Sequence, residues 1–234
     1  MFQCKEFTIH QDLCAMKVTE IACIQGAWTP IPDEVNTILD IGSGTGLLSL
    51  MLAQRFPSKE IVALELDEAS YQQGKQNISS SKFSRQIHTL LGDVRQFQSA
   101  QTFDFIICNP PFFENQLKSP DVTKNLAWHS EELSMQSLVH HIHRLLQPSG
   151  SASLLYPYQR LNELKACCKE QGFLVERILF IKHSVKHEIG FFIALLTKSI
   201  SIQEAMQEEY LVVKENQVYT EKAQLLLQNF YLKL

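Results

Sequence analysis

The sequence predicts an α/β protein in which seven strands form a mostly parallel sheet, with an antiparallel hairpin at one edge and helices on both faces. Three observations predict this fold class. From residue 36 onwards, short apolar runs alternate with longer segments of helical composition, which is typical of a parallel sheet covered on both faces. A glycine-rich turn joins the first strand to the first helix. The last two strand segments have no helix between them, so we expect them to pair as a hairpin.

The predicted elements follow one another without an internal repeat. Seven apolar runs of strand length lie at residues 35–41, 61–66, 86–91, 103–108, 151–156, 173–182 and 188–197. Helices are predicted at residues 47–56, 68–79, 131–146 and 159–171. Pro57 stops the first helix, and Gly150 and Gly172 close the last two.

The chain length of 234 residues favours one elaborated domain, which we divide into three parts. Residues 1–30 precede the regular alternation and are too apolar for a free tail, so we expect a cap that folds over the carboxyl ends of the strands. Residues 31–200 form the main domain, and residues 201–234 form a strand–helix extension packed on it. The polar stretch 113–130 follows a strand end, which is where open α/β sheets bind ligands.

Composition excludes several classes of protein. A hydrophobic content of 45% with 20% charged residues excludes a disordered chain. No apolar run approaches the ~18 residues of a membrane span, and the amino terminus has no signal-like apolar core, so we expect a cytoplasmic protein. The six cysteines include no CxxC pair, which predicts reduced cysteines and no metal centre. The net charge of −4 does not indicate a nucleic-acid binder, although residues 151–200 hold seven Lys and Arg against four Glu.

The run of residues 40–46, DIGSGTG, carries the first candidate site. Its glycines let a ligand approach the backbone, but Leu47 stands where a dinucleotide fingerprint requires Gly or Ala, so a phosphate is disfavoured. Glu65 ends the second strand, where a carboxylate can accept both hydroxyls of a ribose. Asp93 follows the third strand and can accept from an adenine amino group. This succession predicts a ligand that carries an adenosine.

The tetrapeptide Asn109-Pro110-Pro111-Phe112 directly follows the fourth strand. The two prolines fix the backbone and leave carbonyl oxygens without competing N–H groups. If the Asn109 side-chain oxygen and the Pro110 carbonyl each accept one N–H of an amino group, they hold its nitrogen with the lone pair aimed at an incoming methyl. Phe112 can stack on the base that carries the amino group. The motif therefore predicts catalysis by positioning and electrostatics.

These motifs, in this order, resemble those of class I S-adenosylmethionine-dependent methyltransferases that act on amino nitrogens. More narrowly, the chain is similar to the bacterial valine-tRNA adenine-N6 methyltransferase family, which modifies the adenine 3′ of the anticodon. That likeness extends to segments near both ends: residues 7–9, 14–18, 26–28, 211–213, 219–220 and 230–232. It implies a Rossmann-like fold with residues 31–200 as the cofactor-binding domain.

The resemblance also implies a role for each motif residue. Asp40, Gly42 and Gly44 are expected at the methionine portion of S-adenosylmethionine, Glu65 at the ribose, Asp93 at the adenine, and residues 109–112 at the target amine. Asn109 is expected to border the cofactor as well, and Lys17 to help close the cofactor pocket. The chain departs from the family at residues 19–22, where Thr-Glu-Ile-Ala replaces a glycine-flanked turn; this departure bears on pocket closure and target choice.

The function expected from these observations is methyl transfer to N6 of an adenine in tRNA by a monomeric enzyme. Trp128 after the tetrapeptide and the basic residues Lys182 and Lys186 are candidate RNA contacts. Two alternatives stay open. One is methylation of a protein glutamine, whose side-chain amide the same tetrapeptide would hold. The other is a non-catalytic RNA-binding module that has kept the fold.

Overall fold

The computed structural model describes residues 1–14, 16–111, 133–198 and 206–234. Its centre is a sheet of nine strands, and a two-stranded ribbon lies beside it. The ribbon consists of β1 (Phe2–Gln3) and β2 (Thr8–Ile9). The sheet consists of β3 (Thr37–Ile41), β4 (Glu60–Glu65), β5 (Ile87–Leu91), β6 (Phe103–Cys108), β7 (Leu146–Pro157), β8 (Leu174–Ser184), β9 (Phe191–Thr197), β10 (Gln207–Glu215) and β11 (Val218–Tyr219).

Six α-helices cover the sheet within the described residues. They are α1 (Glu20–Trp28), α2 (Leu47–Arg55), α3 (Glu68–Ser79), α4 (Met135–Leu145), α5 (Leu161–Gln171) and α6 (Glu221–Leu227). Several begin at a residue whose side chain accepts a hydrogen bond from the first turn: Thr19, Asp67, Ser134 and Thr220. Such caps satisfy N–H groups that have no partner within the helix. No helix among the described residues is both long and apolar enough to cross a bilayer.

The strand order is β11-β10-β8-β9-β7-β6-β3-β4-β5, and only β9 and β11 run antiparallel to their neighbours. The predicted mostly parallel sheet is therefore confirmed. The strand count is nine instead of seven because β10 pairs in parallel with β8 and carries β11 beyond it. For the same reason the antiparallel pair β8–β9 does not form the outer edge of the sheet.

Two apolar cores lie on opposite faces of the sheet. One contains side chains from α1, α2 and α6 together with Ile78 of α3. The other contains side chains from α4 and α5. Helices on both faces were predicted, and burial of the strands on both sides explains why β3, β4 and β6 read as nearly continuous apolar runs.

The helix of the amino-terminal segment does not lie over the carboxyl ends of the strands, where the segment was expected. Helix α1 lies on one face of the sheet and packs against α2 and α6. Before it, the chain follows α3: the backbone N–H of His10 donates to Asn77 Oδ1 (2.9 Å), and that of Leu13 donates to Gln73 Oε1 (3.3 Å). The division of the chain at residues 30 and 200 stays a prediction.

The prediction that Gly150 closes a helix is wrong. Helix α4 ends at Leu145, and Gly150 lies inside β7. A Cβ at Gly150 would stand 3.1 Å from the Asp104 carbonyl oxygen and 2.8 Å from Leu146, beside a register shift between β6 and β7. The glycine therefore permits close approach of two strands at a bulge.

Candidate active site

The candidate residues gather where the order of strands reverses. Strand β3 pairs with β4 on one side and with β6 on the other, so that Ile41 lies beside both Leu64 and Cys108. In open α/β sheets, the crevice beyond the carboxyl ends of strands at such a switch point is the usual ligand site. We refer to the space beyond the ends of β3 and β6 as the crevice.

The glycine turn, residues 42–46, forms one wall of the crevice. Gly42, Gly44 and Gly46 have φ angles of 71°, 52° and 79°, a left-handed conformation that other residues adopt at a cost. The N–H groups of Gly42 and Ser43 donate to the Leu64 carbonyl at 2.8 and 3.1 Å. A Cβ on Gly42 would meet no atom within 4 Å, and one on Gly44 would meet only the Gly42 oxygen at 4.0 Å. The turn is thus held to β4 while the space above it stays open.

Helix α3 packs against the glycine turn at Gly74, a residue that sequence reasoning did not identify. A Cβ at Gly74 would lie 2.4 Å from the Gly44 carbonyl oxygen. Asn77, one turn further along α3, donates from Nδ2 to the Thr45 carbonyl at 2.9 Å. The helix therefore holds the turn by a close backbone contact and by a side-chain hydrogen bond.

Asp40, next to the end of β3, has no exposed surface. Its Oδ2 accepts hydrogen bonds from the hydroxyl (2.7 Å) and backbone N–H (3.1 Å) of Ser49, whereas its buried Oδ1 has no partner among the described residues. Burial raises the pKa of Asp40 to about 7 although the Ser49 bonds lower it, and the charge of Glu65 adds to the rise. An unpaired carboxylate oxygen is costly to bury, so this site is suited to a cationic donor.

Glu65, the last residue of β4, joins two backbone segments. Its Oε2 accepts from the Gly44 N–H at 2.7 Å and its Oε1 from the Asp67 N–H at 2.9 Å. Each carboxylate oxygen has a further lone pair, so Glu65 can accept two more donors from a ligand while it orders the glycine turn. The first of these two functions was predicted from the sequence; the second was not.

Asp93 follows β5 and is placed next to Glu65 because the Gly92 N–H donates to the Glu65 carbonyl at 2.8 Å. Its carboxylate is already engaged: Arg95 donates from Nε to both oxygens at 3.0 and 2.8 Å, and Nη2 lies 2.6 Å from Oδ2. These bonds hold the pKa of Asp93 below its usual value. An adenine amino group would therefore share this carboxylate with Arg95.

Asn109 and Pro110 stand at the end of β6 on the other side of the crevice. The Asn109 Oδ1 is buried and has no hydrogen-bond partner among the described residues. Pro110 is buried and Pro111 is exposed. Two buried acceptor atoms without a partner among the described residues, Asp40 Oδ1 and Asn109 Oδ1, thus lie at the ends of the adjacent strands β3 and β6.

Gln25 is a second residue that the sequence analysis missed. It is fully buried in α1, and its Nε2 donates to the carbonyls of Cys108 (3.0 Å) and Ser153 (3.3 Å). Helix α1 therefore holds the backbone one residue before Asn109. The sequence indicates this role only by the presence of a polar residue, Gln25, within the otherwise apolar segment 21–28.

The remaining predicted residues have different positions. Phe112 and Trp128 lie outside the described residues. Lys17 is exposed before α1, which begins at the altered segment because Thr19 caps it and accepts from the Ala22 N–H at 3.2 Å. Lys182 lies in β8 and Lys186 in the turn that follows it, three strands away from β6.

Metal ligation and the thiol of Cys108 are two further candidates for chemistry around the crevice. Within the described residues, no group of three His, Cys, Asp or Glu side chains is placed to hold a metal ion. Burial raises the pKa of the Cys108 thiol well above its ordinary value, and the charges of Asp40 and Glu65 raise it further. Such a shift disfavours the thiolate form that a cysteine nucleophile requires.

The known proteins to which this chain is similar are methyltransferases. The family model of the methyltransferase small domain matches residues 29–152. A tRNA1(Val) (adenine(37)-N6)-methyltransferase from Dyadobacter fermentans is 36% identical over 99% of this chain and 97% of its own. A solved structure of a predicted O-methyltransferase from Agrobacterium tumefaciens has a TM-score of 0.69 at 17% identity, covering 89% of this chain and 95% of that one.

A further solved structure is an O-methyltransferase from Brevibacillus brevis in complex with S-adenosyl-L-homocysteine. It has a TM-score of 0.55 at 14% identity and covers 78% of this chain and 73% of that one. At such identities the two solved structures establish the fold alone. The predicted class I methyltransferase fold is confirmed.

Proposed function

The chain belongs to the tRNA1(Val) (adenine(37)-N6)-methyltransferase family, and from this premise we propose that it transfers a methyl group from S-adenosylmethionine to N6 of adenine 37 in a valine tRNA. The observation that carries the proposal is the pair of buried, unpaired acceptors, Asp40 Oδ1 and Asn109 Oδ1, at the ends of the adjacent strands β3 and β6. One is suited to a cationic ammonium group, and the other to the N–H of a target amine.

The residues of the glycine-turn side fit S-adenosylmethionine. Asp40 Oδ1 would accept from the ammonium group of the methionine portion, and the open space above Gly42 and Gly44 would admit its chain. Glu65 would accept the ribose hydroxyls, and Asp93 the adenine amino group beside Arg95. Lys17 would approach from the segment before α1. The bound cofactor supplies an electrophilic methyl group on its sulfonium.

Asn109 and Pro110 would hold the target nitrogen. Asn109 Oδ1 accepts one N–H of the adenine amino group and the Pro110 carbonyl accepts the other, so the nitrogen is fixed with its lone pair facing the methyl group. Because the acceptors are fixed before the substrate arrives, little reorganisation is needed during the reaction. Phe112 is proposed to stack on the base.

The stoichiometry at the target nitrogen also affects product release. A target nitrogen that takes the methyl group from the bound cofactor would exchange one of its two N–H bonds for the new N–C bond, and the released proton would pass to solvent. N6-methyladenine retains a single N–H, so only one of the two acceptors, Asn109 Oδ1 or the Pro110 carbonyl, keeps a donor. The site therefore holds the product less tightly than the substrate.

The test is methyl transfer from labelled cofactor to unmodified valine tRNA, with mass mapping of the modified base. We expect the label at adenine 37, removable by RNase and resistant to protease. Label removed by protease instead would indicate the protein-glutamine activity. Failure to bind the cofactor in calorimetry would favour the non-catalytic RNA-binding module.

The matched variants are Asn109→Ala and Asn162→Ala, the second at an exposed asparagine of α5. Loss of one preorganised donor or acceptor at a reacting centre typically reduces the rate by ~100-fold or more. We expect that loss for Asn109→Ala and unchanged activity for Asn162→Ala. Full activity of Asn109→Ala would refute the proposed hydrogen bond between Asn109 and the target amino group.

A further inference from the structure

A cleft of about 550 Å³ opens between the tip of the β8–β9 hairpin and the β10–β11 turn. Its lining residues are mostly basic or hydrogen-bonding, namely His183, Lys186, His187, Lys214, Asn216 and Gln217. Asn216 and Gln217 have positive φ angles of 48° and 70°, which form the tight turn between the two strands. We call this the basic cleft.

The basic cleft lies on the same edge of the sheet as the crevice. Strands β8 and β10 run parallel to each other, and β9 runs antiparallel to both β7 and β8. The carboxyl ends of β8 and β10 therefore point in the same direction as those of β6 and β7. With three strand spacings of about 4.8 Å each, β8 lies about 14 Å from β6.

Two exposed aromatic side chains contact β8, the strand that leads into the basic cleft. Tyr158 directly follows β7 and is 40% exposed, and Tyr210 of β10 is 54% exposed. Both contact Phe180 of β8, with ring centroids 5.9 and 5.2 Å apart. Lys182 lies two residues beyond Phe180 on the same face of β8. Exposed aromatic rings next to lysines form a surface typical of single-stranded nucleic-acid binding.

Glu20 neutralises part of the positive charge of the basic cleft. Lys214 Nζ is paired with Glu20 Oε1 at 3.0 Å, and Glu20 also lies 4.0 Å from His183. The Tyr210 hydroxyl donates to Glu208 at the start of β10. Lys182 and Lys186 form no ion pair within the described part of the chain. They are the lysines of this surface that can neutralise phosphates.

We propose that the basic cleft, together with Lys182, Tyr158 and Tyr210 beside it, binds the substrate RNA. The phosphates of the RNA would lie at Lys182 and Lys186, and its bases would stack on Tyr158 and Tyr210. The 14 Å between β6 and β8 corresponds to about four stacked nucleotides at ~3.4 Å each. Nucleotides that flank the target base would thus reach the basic cleft while the base itself enters the crevice. The proposal rests on the proposed function and assigns its RNA contacts.

The test is the salt dependence of binding of unmodified valine tRNA to the full chain. A lysine that contacts a phosphate contributes a slope of about −0.7 to −0.9 in a plot of log K against log salt concentration. The double variant Lys182→Ala/Lys186→Ala is expected to reduce the slope by about 1.5 and to weaken binding at least tenfold. Lys169→Ala/Lys165→Ala, on helix α5, is the charge-matched control and should leave the slope unchanged.

The stacking contacts are tested by Tyr158→Ala and Tyr210→Ala, each beside its Phe variant. The Ala variants are expected to raise the KM for tRNA about tenfold with kcat and cofactor affinity unchanged, and the Phe variants to restore it. An unchanged salt slope in the Lys182/Lys186 variant, or an equal loss in the control, would overturn the proposal. Wild-type protein that binds tRNA with the expected slope but does not methylate it would contradict only the proposed function.

Discussion

Gly74 offers a direct test of how helix α3 sets the glycine turn. In Gly74→Ala the added Cβ would lie 2.4 Å from the Gly44 carbonyl oxygen, whereas ordinary contact begins at 3.4 Å. The turn or the helix must therefore move by about 1.0 Å. The obstructing atom belongs to backbone that is also held by Glu65 and Asn77, so the displacement cannot be absorbed by a side-chain rotation.

Two opposing effects set the stability of the Gly74→Ala variant. Alanine inside a helix is favoured over glycine by about 1 kcal/mol, while overpacking costs about 1–3 kcal/mol. The free energy of unfolding is therefore expected to fall by no more than about 2 kcal/mol, and the variant should fold. The effect on function is larger, because a 1 Å misplacement of a binding site can reduce activity about 100-fold.

The assay is calorimetric titration of S-adenosylmethionine, with thermal unfolding measured in parallel. We expect cofactor affinity to fall between about 10- and 100-fold in Gly74→Ala. Gly190→Ala is the matched control, since a Cβ there would meet no atom within 4 Å. A folded Gly74→Ala protein that binds the cofactor as the wild type does would refute the argument that the Gly74–Gly44 contact sets the turn.

Four further predictions concern the residues around the crevice. Because the pKa of Asp40 is raised to about 7, the free energy of unfolding of the cofactor-free protein should fall as the pH rises from about 4 to 7. Asp40→Asn should abolish this pH dependence in unfolding experiments. If the variant retains it, another group is responsible. Ionisation of Asp40 should also raise cofactor affinity about eightfold between pH 6 and 7.5, which titration calorimetry can measure; a flat profile would contradict the contact with the ammonium group. In Glu65→Gln one of the two N–H groups that meet the carboxylate loses its acceptor, so cofactor affinity should fall at least ~10-fold, whereas Glu68→Gln on the exposed start of α3 should bind normally. Gln25→Met keeps the side-chain volume but removes the hydrogen bond to Cys108. We expect kcat to fall about tenfold while cofactor affinity is retained. Equal losses of kcat and of cofactor affinity would indicate a general structural role for Gln25.

Elements with local end signals were predicted accurately. The helix at Glu68–Ser79 and the strand at Phe103–Cys108 agree with the prediction to the residue, since Asp67 caps the helix and Asn109-Pro110 ends the strand. The prediction for Gly150 was wrong because a glycine after a helical pattern indicates a helix end as readily as a close approach of strands. Which of the two applies depends on Asp104, a neighbour on another strand.

In the candidate site, too, some residues could be identified from local sequence patterns and others could not. Asp40, Glu65, Asp93 and Asn109 could be proposed from the sequence because each lies within two residues of the end of a strand. Parallel strands bring their carboxyl ends to one edge of the sheet. Gly74 and Gln25 could not, because their roles depend on contacts with residues distant in the chain. The ion pair of Asp93 with Arg95, two residues away, was within reach of sequence reasoning and was missed.

The amino-acid sequence by itself determined the fold class, the glycine turn and the acceptor groups at the strand ends, because these follow from patterns that are local in the chain. Only the tertiary structure decided that β10 extends the sheet beyond β8 and that α1 lies on one face of the sheet and holds the backbone before Asn109. It also decided that Tyr158 and Tyr210 both contact Phe180. Strand pairing and helix packing are selected by the burial of apolar surface between segments far apart in sequence, and no local pattern specifies which of those segments will meet.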